Sequence, residues 1–175
     1  MIYFDNAATS FPKAPGVSTD MSRFLAEDAA NPGRAGHRMA VAAERMLDDV
    51  RLNLTRLFDG DDFHRMIFVM NCTDALNMAI KGVIGDRRNV HVITTVLEHN
   101  SVSRPLQAMV VAGQIELTRV GCDAEGFVDP DEIRRAINAN TQLIVMMHAS
   151  NVLGTIQDAT AVGAIAREHD LLFCL

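Results

Sequence analysis

The fold class is decided by the stretch VHVITTVLEHNSVSRPLQAMVVAGQIELTRV, residues 90–120. Its apolar run over 90–94 predicts a strand, the helical spacing over 101–112 predicts a helix that Gly113 ends, and 115–120 predicts a second strand. Apolar strands that alternate with helices are typical of a parallel sheet covered on both sides. We therefore predict an α/β fold with a mostly parallel sheet and helices on both faces.

The same alternation continues along the rest of the chain. Further strands are predicted over residues 66–70, 143–147 and 171–175, and further helices over 38–58, 74–81, 130 onward and 159–169. Gly82 is expected to close the second of these helices, and Asp129 with Pro130 to open the third. The run 171–175 is apolar throughout and predicts a buried strand. Because the chain stops inside this run, we expect a fragment of a longer protein, with an uncovered strand edge that promotes self-association.

Length and charge exclude several classes of protein. A chain of 175 residues has room for one ordinary domain with a substantial core. The 22 acidic residues exceed the 16 basic ones and give a net charge of -6, which argues against a general binder of nucleic acid or membrane surfaces. No apolar stretch approaches the ~20 residues that span a bilayer, and no secretory signal is recognisable, so we expect a cytoplasmic protein. The three cysteines are too far apart for a metal site, and none is predicted.

Polar side chains follow three of the predicted strands. Thr73 lies where a helix begins and could help to hold a phosphate, although an ordinary N-cap is the simpler interpretation of that residue alone. His99 could stack on a planar ring or move a proton, or it could bond to the local backbone. Asn151 could bind a ligand through its amide or form an Asx-turn. Because the carboxyl ends of parallel strands share one edge of a sheet, the three clusters together favour a ligand site there.

Five motifs in a fixed order give the sequence a family resemblance. They are FDNAATS at residues 4–10, NPGRAGH at 31–37, NCTDALN at 71–77, EHNS at 98–101 and HASNVLGT at 148–155. The sequence resembles the N-terminal half of a cysteine desulfurase of the class V aminotransferase family, which depends on pyridoxal phosphate. The resemblance runs over essentially all 175 residues. It implies the front portion of the large domain of a fold-type I pyridoxal-phosphate enzyme.

The resemblance implies cofactor-binding roles for four residues. Cys72 and Thr73 match the pair that holds the cofactor phosphate. His99 matches the histidine that stacks on the pyridine ring and takes part in proton transfer, so it is also the candidate catalytic residue. Asn151 matches the asparagine beside the phenolic oxygen of the ring. Two positions depart from the family pattern, since the family usually has a hydroxyl residue at Cys72 and glutamate at Asp74.

The resemblance also implies a segment that borders the substrate. Residues 1–37 form this segment, and residues 38–175 form a partial cofactor-binding domain. Ala7 and Ala8 match positions that border the substrate, while Arg34 and His37 lie in a loop that approaches the active site in the family.

The implied reaction converts cysteine to alanine and leaves the sulfur as a persulfide on the enzyme. The implied partners are the substrate cysteine, a second copy in a homodimer, and a sulfur-acceptor protein of the kind used in iron–sulfur cluster assembly. The family's Schiff-base lysine and sulfur-accepting cysteine have no counterpart in this chain, and neither Lys13 nor Lys81 is placed to substitute, so the chain alone is expected to be inactive. Two alternatives stay open: another class V enzyme, such as an aminotransferase, lyase or epimerase, and a non-catalytic dimerising module.

Overall fold

The computed structural model describes residues 2–33 and 36–175. The chain divides into two compact units, Met1–Phe68 and Val69–Leu175. The first unit contains helices α1 (Val17–Glu27) and α2 (Arg38–Leu57), followed by a short 3-10 helix (Phe63–Arg65). Within the described residues, no helix is both long and apolar enough to cross a bilayer.

The second unit alternates helices with strands. Its elements are, in chain order, α3 (Cys72–Ile84), β1 (Val90–Thr95), α4 (Asn100–Val111), β2 (Ile115–Val120), α5 (Pro130–Ala136), β3 (Thr141–Val145), α6 (Ala159–Glu168) and β4 (Leu172–Cys174). The strands form one sheet in the order β2-β1-β3-β4. Every neighbouring pair is parallel, so all four carboxyl ends lie at the same edge of the sheet.

The two faces of the sheet are covered by different helices. Val92 faces one buried cluster, which includes Ile80 of α3 and Leu106 of α4. Its neighbour Ile93 faces the opposite cluster, which includes Ile133 of α5. Successive strand residues point to opposite faces, so a strand that is apolar at every position requires helices on both sides. The predicted fold class is confirmed.

The predicted strand over residues 66–70 is wrong. This segment pairs with no other strand among the described residues, and Met70 is 91% exposed. The carbonyl of Met66 instead accepts a hydrogen bond from Arg51 Nε at 3.3 Å. An apolar run becomes a strand only where a neighbouring strand supplies the ladder, and the run itself does not reveal that neighbour.

Two further expectations need correction. Helix α3 runs through Gly82 and ends at Ile84, with Gly85 as its C-cap; the φ of Gly85 is 55°, a positive value that glycine adopts without a Cβ clash. The strand predicted over 171–175 is present as β4, but it is not buried, because it lies at the edge of the sheet and Leu172 is 55% exposed.

Candidate functional site

The N-terminus of α3 has backbone donors that its own cap does not use. Asn71 is the N-cap, and its Oδ1 accepts from the Asp74 N–H at 2.9 Å. The N–H groups of Cys72 and Thr73 meet no acceptor among residues 69–175, and both residues are exposed. Thr73 is therefore not the N-cap, and its hydroxyl lies beside the free donors of a 13-residue helix. Such a terminus attracts an anion through its N–H groups and its dipole.

His99 is exposed, but one side of its ring is fixed. It is the N-cap of α4, and its Nδ1 accepts from the Ser101 N–H at 3.1 Å. The Ser101 hydroxyl lies 2.8 Å from the same nitrogen. Since Nδ1 accepts a backbone hydrogen bond, the neutral ring carries its proton on Nε2. Local backbone bonding and ligand binding are thus compatible, because the bonds to Ser101 leave Nε2 and the ring faces available.

Asn151 lies at the tip of the loop that follows β3. The side chain that organises this turn is that of Ser150, whose Oγ accepts from the Leu153 N–H at 3.0 Å. Its backbone carbonyl accepts from the Gly154 N–H at 2.9 Å. Of the two alternatives for Asn151, the Asx-turn is not formed, because a serine turn takes its place; the exposed Asn151 amide makes no hydrogen bond within residues 69–175.

A hydrogen-bond bridge links the Thr73 helix to the His99 helix. Pro105 has no N–H, so the Ser101 carbonyl four residues earlier loses its helical donor. The side-chain Nδ2 of Asn77 lies 3.4 Å from that carbonyl and also donates to the Thr73 carbonyl at 3.0 Å. Thr73 and Ser101 also line an open groove of about 780 Å³ that runs between the two helices as far as Gly85, and neither His99 nor Asn151 is part of its lining.

Two polar side chains to which the sequence analysis assigned no role hold the loops of the site. Glu98 Oε1 accepts from the Met147 N–H at 2.9 Å and so joins the loop after β1 to the end of β3. Gln157 is 5% exposed, and its Oε1 accepts from the Val128 N–H at 2.9 Å. Its Nε2 donates to the Gly126 carbonyl at 2.8 Å, which anchors the Asn151 loop to the turn after β2. The position of Glu98 directly before the candidate histidine was a sequence signal that could have identified it. No sequence pattern identifies Gln157.

Burial shapes the titration of two groups at this edge. It raises the pKa of the Glu98 carboxyl, and the hydrogen bonds from Met147 and Thr95 oppose that rise. Burial also raises the pKa of the Cys174 thiol, and the nearby Glu98 and Cys72 add to the effect. Cys174 is therefore a protonated, half-buried thiol at neutral pH rather than a reactive thiolate.

The predicted substrate residues lie in the first unit. Ala7 and Ala8 are exposed in a turn that is closed by a hydrogen bond from the Ala8 N–H to the Asp5 carbonyl at 3.1 Å. His37 is the N-cap of α2, and its Nδ1 accepts from the Ala40 N–H at 3.3 Å. Arg34 lies outside the described residues.

Known proteins resemble this chain over nearly its whole length. Cysteine desulfurase IscS of Photobacterium profundum is 34% identical over 98% of this chain and 43% of its own length. IscS of Dictyoglomus turgidum is also 34% identical, again over 98% of this chain and 43% of its own length. The chain thus spans less than half the length of these curated relatives.

Solved structures agree with the sequence relatives. An apo cysteine desulfurase from Thermococcus onnurineus NA1 has a TM-score of 0.90 at 28% identity, over 98% of this chain and 42% of that one. A structure of SspA in complex with cysteine has a TM-score of 0.89 at 29% identity, over 99% of this chain and 49% of that one. Residues 2–175 match the family Aminotransferase class-V. The chain belongs to the class-V aminotransferase family.

Proposed function

We propose that this chain is the part of a pyridoxal-phosphate-dependent cysteine desulfurase that binds the cofactor's phosphate and ring. The observation that carries the proposal is the arrangement at the carboxyl edge of the sheet. Within residues 69–175, N–H donors without an acceptor at α3, a His99 ring fixed through Nδ1 and an Asn151 amide without a hydrogen bond follow one another on linked loops. The desulfurase relatives support the same assignment.

The residues fit the chemistry of this cofactor. A phosphate accepts hydrogen bonds, and the N–H groups of Cys72 and Thr73 with the Thr73 hydroxyl are donors. A flat pyridine ring packs well on the exposed face of His99, and a phenolic oxygen accepts from the amide of Asn151. When bound, the cofactor supplies an electron sink for the bonds around the α-carbon of an amino acid.

We propose separate tasks for α3, His99 and Asn151. The dipole of α3 favours the phosphate at Cys72 and Thr73 and anchors the cofactor. Because Nδ1 of His99 is bonded to Ser101, Nε2 is the atom that would hold or move a proton. The amide of Asn151 would orient the ring by donating to its oxygen. Anchoring of the phosphate, stacking on the ring and orientation of the ring would thus come from three different segments of the chain.

We propose cysteine as the substrate, alanine as a product, and transfer of the sulfur to an enzyme persulfide and on to an acceptor protein. The cysteine complex of SspA supports this substrate. Ala7, Ala8, Arg34 and His37 are proposed to border it, with residues 1–37 as the substrate-facing segment and 38–175 as the cofactor-binding part. A homodimer in the cytoplasm is proposed for the whole enzyme, with iron–sulfur cluster assembly as the destination of the sulfur.

The lysines support the proposal that this chain binds the cofactor without a covalent bond. Lys13 Nζ donates to the Thr9 hydroxyl at 2.9 Å and to the Ser10 carbonyl at 2.7 Å in the first unit. Lys81 lies in the last turn of α3, eight residues after Thr73 and therefore roughly 12 Å along the helix axis. We expect no stoichiometric label on Lys13 or Lys81 after borohydride reduction with pyridoxal phosphate, and no sulfide release from cysteine by the chain alone.

Titration with pyridoxal phosphate, followed by absorbance and fluorescence, tests the proposal. Thr73→Val should weaken binding about tenfold or more, because a hydrogen bond to a charged group contributes about 1.5–3 kcal/mol. Thr160→Val is the matched control, since Thr160 is also the second residue of an exposed helix N-terminus. His99→Ala should weaken binding severalfold, and His169→Ala, at an exposed helix C-terminus, should leave it unchanged.

Three outcomes are decisive. If the unaltered chain does not bind pyridoxal phosphate, the non-catalytic alternative replaces the proposal. Equal losses for Thr73→Val and Thr160→Val would overturn the assignment of the phosphate to α3. In the complete enzyme, sulfide release from cysteine with an equal yield of alanine distinguishes a desulfurase from other class-V reactions.

A further inference from the structure

The carboxylate of Glu98 lies where two central strands diverge. The ladder between β1 and β3 has its last pair at Ile93 and Ile144. Beyond that pair, β1 leads to His99 and β3 leads to Asn151. Within residues 69–175, one hydrogen bond joins the segment after β1 to the segment after β3, and it runs from the Met147 N–H to Glu98 Oε1 at 2.9 Å.

The same oxygen also closes the loop after β1. Glu98 Oε1 accepts from the Thr95 hydroxyl at 2.8 Å, and Thr95 is the last residue of β1 and 3% exposed. The backbone carbonyl of Glu98 accepts from the Ser103 hydroxyl at 3.3 Å, which holds the loop against α4. Glu98 is therefore fixed at its backbone and at its carboxylate, directly before His99.

The half-buried position of the Glu98 carboxylate makes its two hydrogen bonds hard to replace. The carboxylate is half-buried, and both recorded donors converge on one of its two oxygens. Removing the acceptor leaves the N–H of the half-buried Met147 without this partner, so the chain after β3 would shift to find another one. Asn151 lies four residues after Met147, and such a shift would change its distance from His99.

We propose that Glu98 is a positioning residue that sets the separation of His99 and Asn151 by tying the loop after β1 to the end of β3. The inference rests on the proposed function in that these two residues contact the cofactor. Glu98 itself touches neither substrate nor cofactor in this assignment. It acts through the Met147 N–H and through its covalent neighbour His99.

Three variants at this position separate geometry from charge. Glu98→Gln keeps an acceptor oxygen at the same reach, Glu98→Asp withdraws the carboxylate by one methylene group, and Glu98→Ala removes it. Glu125→Ala is the matched control, because Glu125 is exposed in the turn after β2 and its side chain makes no hydrogen bond among the described residues. If Glu98→Ala does not fold, the proposal is tested with Glu98→Asp.

Two measurements on these variants test the proposal. Nuclear magnetic resonance of the ligand-free chain should show shifts of the Met147 amide, the His99 ring nitrogens and the Asn151 side-chain amide in Glu98→Asp and Glu98→Ala. Glu98→Gln and Glu125→Ala should retain the wild-type positions. Titration with pyridoxal phosphate should show affinity at least fivefold weaker in Glu98→Asp and Glu98→Ala, and within twofold of wild type in Glu98→Gln.

The readouts distinguish the two proposals. Failure of the unaltered chain to bind pyridoxal phosphate overturns the proposed function, and the ligand-free spectra still decide the role of Glu98. If the Met147 amide shifts in Glu98→Asp or Glu98→Ala while the His99 and Asn151 signals stay in place, the carboxylate is merely structural and the positioning proposal is wrong. A loss of affinity in Glu98→Gln equal to that in Glu98→Ala would also overturn it.

Discussion

Replacing Gln157 with leucine should destabilise the second unit strongly, because one buried amide satisfies two backbone groups. Its Oε1 accepts from the Val128 N–H at 2.9 Å, and its Nε2 donates to the Gly126 carbonyl at 2.8 Å. Leucine fills a similar volume and can do neither. Gly126 and Val128 are both buried, so water has poor access to the orphaned groups.

The expected size follows from these two groups. A buried polar group left without a partner costs about 1–3 kcal/mol, which gives about 2–6 kcal/mol for the pair. That is a large part of the free energy of unfolding of a typical folded domain, which is roughly 5–15 kcal/mol. For a chain of this length, the melting temperature should fall by roughly 2–4 °C for each kcal/mol lost.

Urea denaturation followed by far-ultraviolet circular dichroism measures the effect, since the chain has no tryptophan and one tyrosine. Gln107→Leu is the matched control, because Gln107 is exposed and its amide oxygen accepts from Arg119 Nη2 at 2.7 Å. Exposed substitutions of this kind usually change stability by less than about 0.5 kcal/mol. If the two variants differ by less than about 1 kcal/mol at equal denaturant slopes, the anchoring role of Gln157 is refuted.

Two further expectations concern pH and association. Burial lowers the pKa of His91 from its usual 6.5, with Glu116 opposing the shift, so the unfolded chain binds more protons and the free energy of unfolding should fall as the pH drops below 6.5. A His91→Gln variant should lose that dependence in pH-resolved urea titrations, and an unchanged slope would contradict the assignment. The exposed edge strand β4 should promote self-association, so Leu172→Lys should lower the mean mass in sedimentation velocity. An identical mass distribution for variant and wild type would argue that another surface is responsible.

The sheet was predictable because local pattern and burial agree there. All six residues of β1 are buried, and the predicted strand over 115–120 coincides with β2. Helix α5 begins as expected at Pro130, with the Asp129 side chain accepting from the Asp131 N–H. In these elements, capping, hydrophobic period and turn residues all favour the same structure.

Other elements depend on information that a local pattern lacks. Helix α1 was not predicted, since its N-cap is Gly16, which makes no side-chain cap, and none of its residues is buried. His99 and Asn151 were proposed because polar clusters that follow strands carry a recognisable signal, whereas the strand expected before Thr73 is not part of the sheet. The contacts that support these residues were not predicted, because they join residues far apart in the chain. Asn77 bonds to a carbonyl 24 residues away, and Glu98 bonds to an amide 49 residues away.

An irregularity in β3 decides which backbone group meets Glu98. His91 pairs with Thr141, but Val92 pairs with Leu143, so Gln142 is an extra residue on the β3 side. In a regular ladder, Val92 would pair with Gln142, and that polar side chain would enter the core beneath α3 and α4. Every later residue of β3 would also change face and move by about 3.3 Å along the strand. The bulge therefore buries Leu143 against Val92. It lies five residues before Met147 and so also brings the Met147 N–H to the Glu98 carboxylate. Packing of the core and alignment of the proposed cofactor loops thus depend on the same inserted residue.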